Sequence, residues 1–212
     1  MYNLAMQLDT IENILQVVFL IMSVVIHEVS HGYAALMLGD KTAFYAKRLT
    51  LNPIRHIDLF GSIILPLLLI ISKVGFIVGW AKPVPYNPYN LSNQRWGGAL
   101  VALAGPASNF LLAIIFAIFL RLNTAGLLNL PEIAIGLFSM IVLINLVLGF
   151  FNFLPIPPLD GSKIFTPLLP ERYASFFENF GNYGFFASLL FILLLWKPFS
   201  YFIMLVFGLL VS

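Results

Sequence analysis

Long apolar runs separated by short polar breaks make up this chain, and the lengths of the runs set the first expectations. The run from about Ile11 to Leu38 ends at Gly39-Asp40 and predicts one membrane-length helix. Leu59 to Ser72, LFGSIILPLLLIIS, is apolar but only 14 residues long and contains Pro66, which suits a re-entrant or interfacial element better than a crossing. Val74 to Trp80 is β-branched and Gly-bounded and reads as a short strand, followed by the Pro-rich loop AKPVPYNP. A kinked further span is the alternative for this region. Trp96 to Leu120 and Glu132 to about Phe153 are clear spans, the first with small residues in its first half where helices can approach closely. Phe185 to Val211 is apolar again but interrupted by Lys197-Pro198, so it is either one kinked helix or a hairpin. The expected fold is an all-α polytopic membrane protein of about four to six transmembrane helices, with a re-entrant segment and a short β-strand or loop near 59–90.

Composition agrees with that class and narrows the partners. With 60% hydrophobic and 9% charged residues, the chain belongs in a lipid bilayer. A net charge of +2, with the basic residues spread through loops, gives no footprint for nucleic acid. No Lys or Arg precedes Lys41, so the N-terminus lacks the charged region of a signal peptide and the first apolar segment is expected to be retained. Seven of the eleven basic residues (Lys41, Lys47, Arg48, Arg55, Lys73, Lys82, Arg95) lie between the first helix and the next clear one. The positive-inside rule then puts the N-terminus outside and this connection on the cytoplasmic side of the cell membrane.

The first helix carries the polar residues that most need explaining. His27, Glu28 and His31 are set into an otherwise apolar stretch, and ionisable groups at membrane depth are costly unless they serve a site. The four-residue step brings His27 and His31 onto one helical face, where both imidazoles reach one metal ion. This is the HExxH arrangement, in which the two His hold zinc and the Glu takes a proton from the attacking water. Catalytic zinc normally has three protein ligands, and the chain has no Cys, so the third must be His, Asp or Glu. His56 and Asp58 lie in the first connection, where capping or solvation explains them equally well, and Glu132 starts a helix, where a carboxylate favours the dipole. Asp160 follows Pro155, Pro157 and Pro158, which break the helix before it, and irregular backbone at membrane depth suits a polar site. A re-entrant 59–72 segment would put His31 and Asp160 at the same cytoplasmic end; a full crossing would separate them. Asn109 puts an amide at membrane depth, either as an interhelical hydrogen-bonder or as a site residue, and Asn145 and Asn152 share a helical face seven residues apart.

Four motifs in order, HEVSH at 27–31, GWAKPVP at 79–85, AGPASN at 104–109 and FNFLPIPPLDG at 151–161, resemble the site-2 protease family of intramembrane zinc metalloproteases, in its small prokaryotic branch. The resemblance covers about Val17 to Lys163. It implies that His27, His31 and Asp160 bind one Zn2+ per chain and that Glu28 is the general base. It also implies that Asn152, before the LDG turn, polarises the scissile carbonyl or supports the oxyanion. The implied reaction is hydrolysis of a peptide bond within or near the transmembrane segment of a membrane-protein substrate, with the site opening toward the cytoplasm. His56 is a further candidate for lining the site. No segment remains for a PDZ or CBS module, so one domain is expected over 1–212, with a catalytic core of about 11–170 and a hydrophobic C-terminal part from 173. A metal-ion transporter or a non-catalytic zinc-binding membrane protein is the rival reading. The first would usually show internal repeats or ligands on several helices, and Glu28 speaks against the second.

Overall fold

The computed structural model describes residues 2–72, 80–170 and 181–212. Seven α-helices carry most of them: α1 (Tyr2–Met37), α2 (Thr42–Tyr45), α3 (Leu65–Ile71), α4 (Gly97–Thr124), α5 (Glu132–Asn152), α6 (Asp160–Phe165) and α7 (Gly181–Val211). Four helical stretches among the described residues are long and apolar enough to cross a membrane: Ile14–Met37, Gly97–Thr124, Glu132–Asn152 and Phe186–Val211. The chain is thus an all-α polytopic membrane protein, with the low end of the expected helix number among the described residues. The predicted strand falls on 74–79, outside the described residues, and its last residue, Trp80, has no regular structure.

Each boundary follows from local chemistry. α1 runs further toward the N-terminus than its apolar pattern and stops where Gly39 takes φ +104°, a conformation that suits a residue without Cβ. Pro106 sits inside α4 without ending it, whereas Pro155 and the residues after it end α5 at Asn152. The C-terminal run is a single helix through Pro198, and no hairpin forms there.

Leu59–Ile64 forms a π-helical turn that continues into α3, started by the Asp58 carboxylate accepting from the Gly61 N–H at 2.7 Å. The whole element spans only 59–71, on the order of 20 Å, against about 30 Å of hydrocarbon. Its excursion also returns to its start: the Trp80 N–H donates to Gly61 O at 3.2 Å, and Ser62 Oγ donates to Trp80 O at 2.8 Å. A segment whose two ends meet makes no net crossing, as a re-entrant element requires.

α4 is the hub, packed against α1, α5, α6 and α7. Its Ala113, Ala117 and Leu120 bury against Val142 and Leu146 of α5 and Ile203 of α7. Close approach is bought with glycine: a Cβ at Gly149 of α5 would meet the Phe110 ring at 2.6 Å. The same packing sets α1 beside α4 and brings α6 back to both, which builds the site.

Candidate metal centre

Three side chains from two distant parts of the chain converge between α1, α4 and α6. His27 Nε2 lies 3.0 Å from Asp160 Oδ2 and 3.0 Å from His31 Nε2, and His31 Nε2 lies 3.2 Å from Asp160 Oδ2. The two His come from successive turns of α1. Asp160 arrives because the proline-broken stretch turns back and starts α6 there. Gly161 makes that turn feasible, since a Cβ on it would overlap the carbonyl oxygens of Phe153 and Leu154.

The hydrogen bonds behind the imidazoles decide what the three facing atoms are. His31 Nδ1 lies 2.7 Å from Val101 O, and a backbone carbonyl only accepts, so Nδ1 carries the proton and Nε2 is a bare lone pair. For His27 the assignment runs through a relay. Asn145 Nδ2 donates to Ile141 O at 2.9 Å and to Ser23 Oγ at 3.0 Å, which leaves its Oδ1 to accept from Asn109 Nδ2 at 2.8 Å. Asn109 therefore presents Oδ1 to His27 Nδ1 at 2.6 Å, so that nitrogen is the donor.

Two imidazole lone pairs and a carboxylate oxygen, mutually within 3.2 Å, repel one another unless a positive charge sits among them. Tetrahedral zinc, with bonds of about 2.0–2.1 Å, separates its ligand atoms by about 3.3 Å. The triangle therefore fits that ion after a shift of a few tenths of an ångström. These three are the one such group of His, Asp and Glu among the described residues.

Glu28 reaches the loop after the re-entrant element, where its Oε2 accepts from the Val84 N–H at 2.8 Å. Asn152 ends α5, half-buried, with Nδ2 donating to Leu148 O at 3.0 Å. His56 is buried outside the triad, with Nε2 donating to Thr50 O at 2.8 Å, and its own carbonyl accepts from the Lys82 N–H at 2.9 Å. Among the remaining third-ligand candidates, Asp58 caps the π-turn and Glu132 opens α5.

Peptidase family M50, the site-2 protease family, matches over residues 15–131 and 128–195. The chain belongs to this family. Among relatives of this M50 chain, "Putative zinc metalloprotease YwhC" of Bacillus subtilis is 41% identical over 177 residues, 82% of this chain and 77% of that protein. Rip2 of Mycobacterium tuberculosis, described in the same words, is 32% identical over 152 residues, 71% of this chain and 56% of its own length. "Zinc metalloprotease MJ0392" of Methanocaldococcus jannaschii is 25% identical over 156 residues, 74% of this chain and 34% of its own. The M50 chain thus spans about half of Rip2 and a third of MJ0392. No solved structure matches it.

Several residues that build the site gave no clear signal in the M50 sequence. Gly105 is the closest of them: a Cβ there would overlap the His31 imidazole and lie 2.6 Å from His27 Cε1. Its place in the AGPASN motif marks it, but only the α1–α4 register shows what it faces. Asp40 is fully buried and accepts from Thr42 Oγ1 at 2.6 Å, Thr42 N at 3.2 Å, Asn87 N at 2.7 Å and Asn90 Nδ2 at 2.9 Å, tying the end of α1 to the loop before α4.

Proposed function

We propose that the chain is an intramembrane zinc metalloprotease that hydrolyses a peptide bond within or near the transmembrane segment of a membrane-protein substrate. The observation that carries this reading is the convergence of His27 Nε2, His31 Nε2 and Asp160 Oδ2 with both Nδ1 protons held behind them. These three atoms would hold one zinc per chain. When bound, zinc lowers the pKa of water toward neutrality and polarises a carbonyl.

The chain's own residues supply the rest. Glu28, one residue from His27, accepts the proton of the attacking water and delivers it to the leaving nitrogen. Its bond to Val84 N–H limits where the carboxylate can point. Asn152 contributes to the oxyanion by turning its amide from Leu148 O, or through its second N–H. Asn109 keeps His27 in the tautomer that leaves Nε2 free. The loop after the re-entrant element meets Glu28 through Val84, and an extended substrate enters there after its helix has unwound. The cluster of basic residues after α1 supports a site that opens toward the cytoplasm, with the N-terminus outside.

Reconstituted protein tests the reading directly. Wild type should bind about one zinc per chain and cleave a transmembrane-peptide probe, while Glu28→Gln keeps the zinc and cleaves nothing. Asp160→Ala should lose most zinc affinity. Unchanged zinc binding by Asp160→Ala, or cleavage by Glu28→Gln, would overturn the assignment.

A further inference from the structure

Arg48 stands out among residues the mechanism leaves unused, because it is a cation only 8% exposed in the connection after α1. Taking a guanidinium out of water is expensive unless it finds a charge or strong acceptors. Its Nη2 donates to Lys82 O at 2.7 Å and approaches Pro83 O at 3.4 Å, while Nε is buried with no partner among the described residues. Arg48 makes no direct ion pair with an acid there. The carboxylate whose field acts on it is Glu28.

The backbone from 80 to 84 connects the two. Trp80 N–H donates to Gly61 O, Lys82 N–H to His56 O and Val84 N–H to Glu28 Oε2, so alternate amides of this strap are tied down in order. The Lys82 and Pro83 carbonyls, between the last two of these amides, face Arg48. Pro83 C=O and Val84 N–H belong to one planar peptide unit. A cation at the carbonyl end draws electrons away from the amide end and strengthens the N–H as a donor to Glu28. Gly32, one turn after Glu28 on the same face of α1, lets this assembly close: a Cβ there would lie 2.5 Å from Leu49 Cδ2 and 2.9 Å from Val84 Cγ1.

We propose that Arg48 is a positioning residue for Glu28, gripping the 82–84 strap by its carbonyls so that the Val84 N–H aims the carboxylate. The inference rests on Glu28 being the base. Arg48 touches neither substrate nor metal ligands, so its loss should leave binding of both largely intact and slow the chemical step.

The test uses the full chain in detergent, with fluorescein-labelled casein as a disordered probe that needs no unwinding. Arg48→Met should lower kcat about 10- to 100-fold with KM within about threefold and zinc still near one per chain. Arg48→Lys, which keeps the charge and one donor, should recover part of that loss. Unfolding midpoints of wild type, Arg48→Met, Glu28→Gln and the double variant give a readout independent of activity. Arg48→Met should cost at least about 2 °C more in the wild-type background than in the Glu28→Gln background. Equal costs would make Arg48 a strut for the loop alone and overturn the proposal, as would a wild-type kcat in Arg48→Met. Should Arg48→Met not fold, the same cycle with Arg48→Lys decides. Casein left intact by wild type would overturn the peptidase reading, and the midpoint cycle would still judge the coupling between Arg48 and Glu28.

Discussion

Replacing Asn109 with Leu, a near-isosteric change, tests the relay behind the metal centre. Asn109 is fully buried, accepts from His27 Nδ1 at 2.6 Å and donates to Asn145 Oδ1 at 2.8 Å. Leucine removes both contacts. His27 then either keeps its proton on an unpaired, buried Nδ1 or moves it to Nε2, where it blocks the metal-facing lone pair. Leaving a buried donor unpaired costs about 1–3 kcal/mol, and the tautomer shift becomes the cheaper escape as that cost rises. Zinc must drive His27 back to the unfavourable form, so its affinity falls by about 10- to 100-fold, as for other partners of ligating His. The assay is competition for zinc against a fluorescent chelator in detergent. The unfolding midpoint of the metal-free protein separates this effect from the stability lost at Asn145. Zinc affinity within about threefold of wild type, in a folded variant, would show that the Asn109 relay does not set the His27 tautomer.

Two further substitutions probe the supports. Gly105→Ala puts a Cβ into the space of both imidazoles, each pinned at Nδ1, so zinc binding measured with the same chelator should fall by more than 100-fold. Gly98→Ala in the same helix meets nothing within 4 Å and should bind normally. Burial pushes the Asp40 carboxyl up, but hydrogen bonds from Thr42, Asn90 and Asn87 outweigh it and hold its pKa below the usual carboxylate range. A depressed folded pKa means that this stabilisation is present above the unfolded value of about 3.9 and is lost as pH falls through the folded one. Asp40→Asn should therefore lower the unfolding midpoint at pH 7, by about 1–3 kcal/mol in stability, and much less at about pH 3. Equal deficits at the two pH values would refute the charge-based account.

What could be read from the sequence and what could not divides along the range of the interactions. The pairing of His27 with His31 needs only the 3.6-residue repeat of one helix, and the break before Asp160 needs only three prolines, so both were legible without a partner in view. That Asp160 reaches the pair depends on α4 and α5 returning the chain to the same end of α1. The shortness of 59–72 favoured re-entry but left a full crossing open, and in the structure Trp80 lies back beside Gly61. Asn109 was visible as an amide in an apolar span, but its two roles, toward His27 and toward Asn145, follow from how α1, α4 and α5 are rotated against one another. Gly105, Asp40 and Arg48 went unread for the same reason. A glycine looks like packing, an acid after a helix looks like a stop signal, and an arginine in a basic loop looks like a membrane-orientation signal. Arg48 shows the cost of that last reading: one of the seven cations counted toward topology is withdrawn from water and turned inward onto the strap over Glu28. The charge bias still stands on the other six. The connection after α1 therefore also carries a tertiary contact, from Arg48 to the backbone at 82–83, that no local pattern announces.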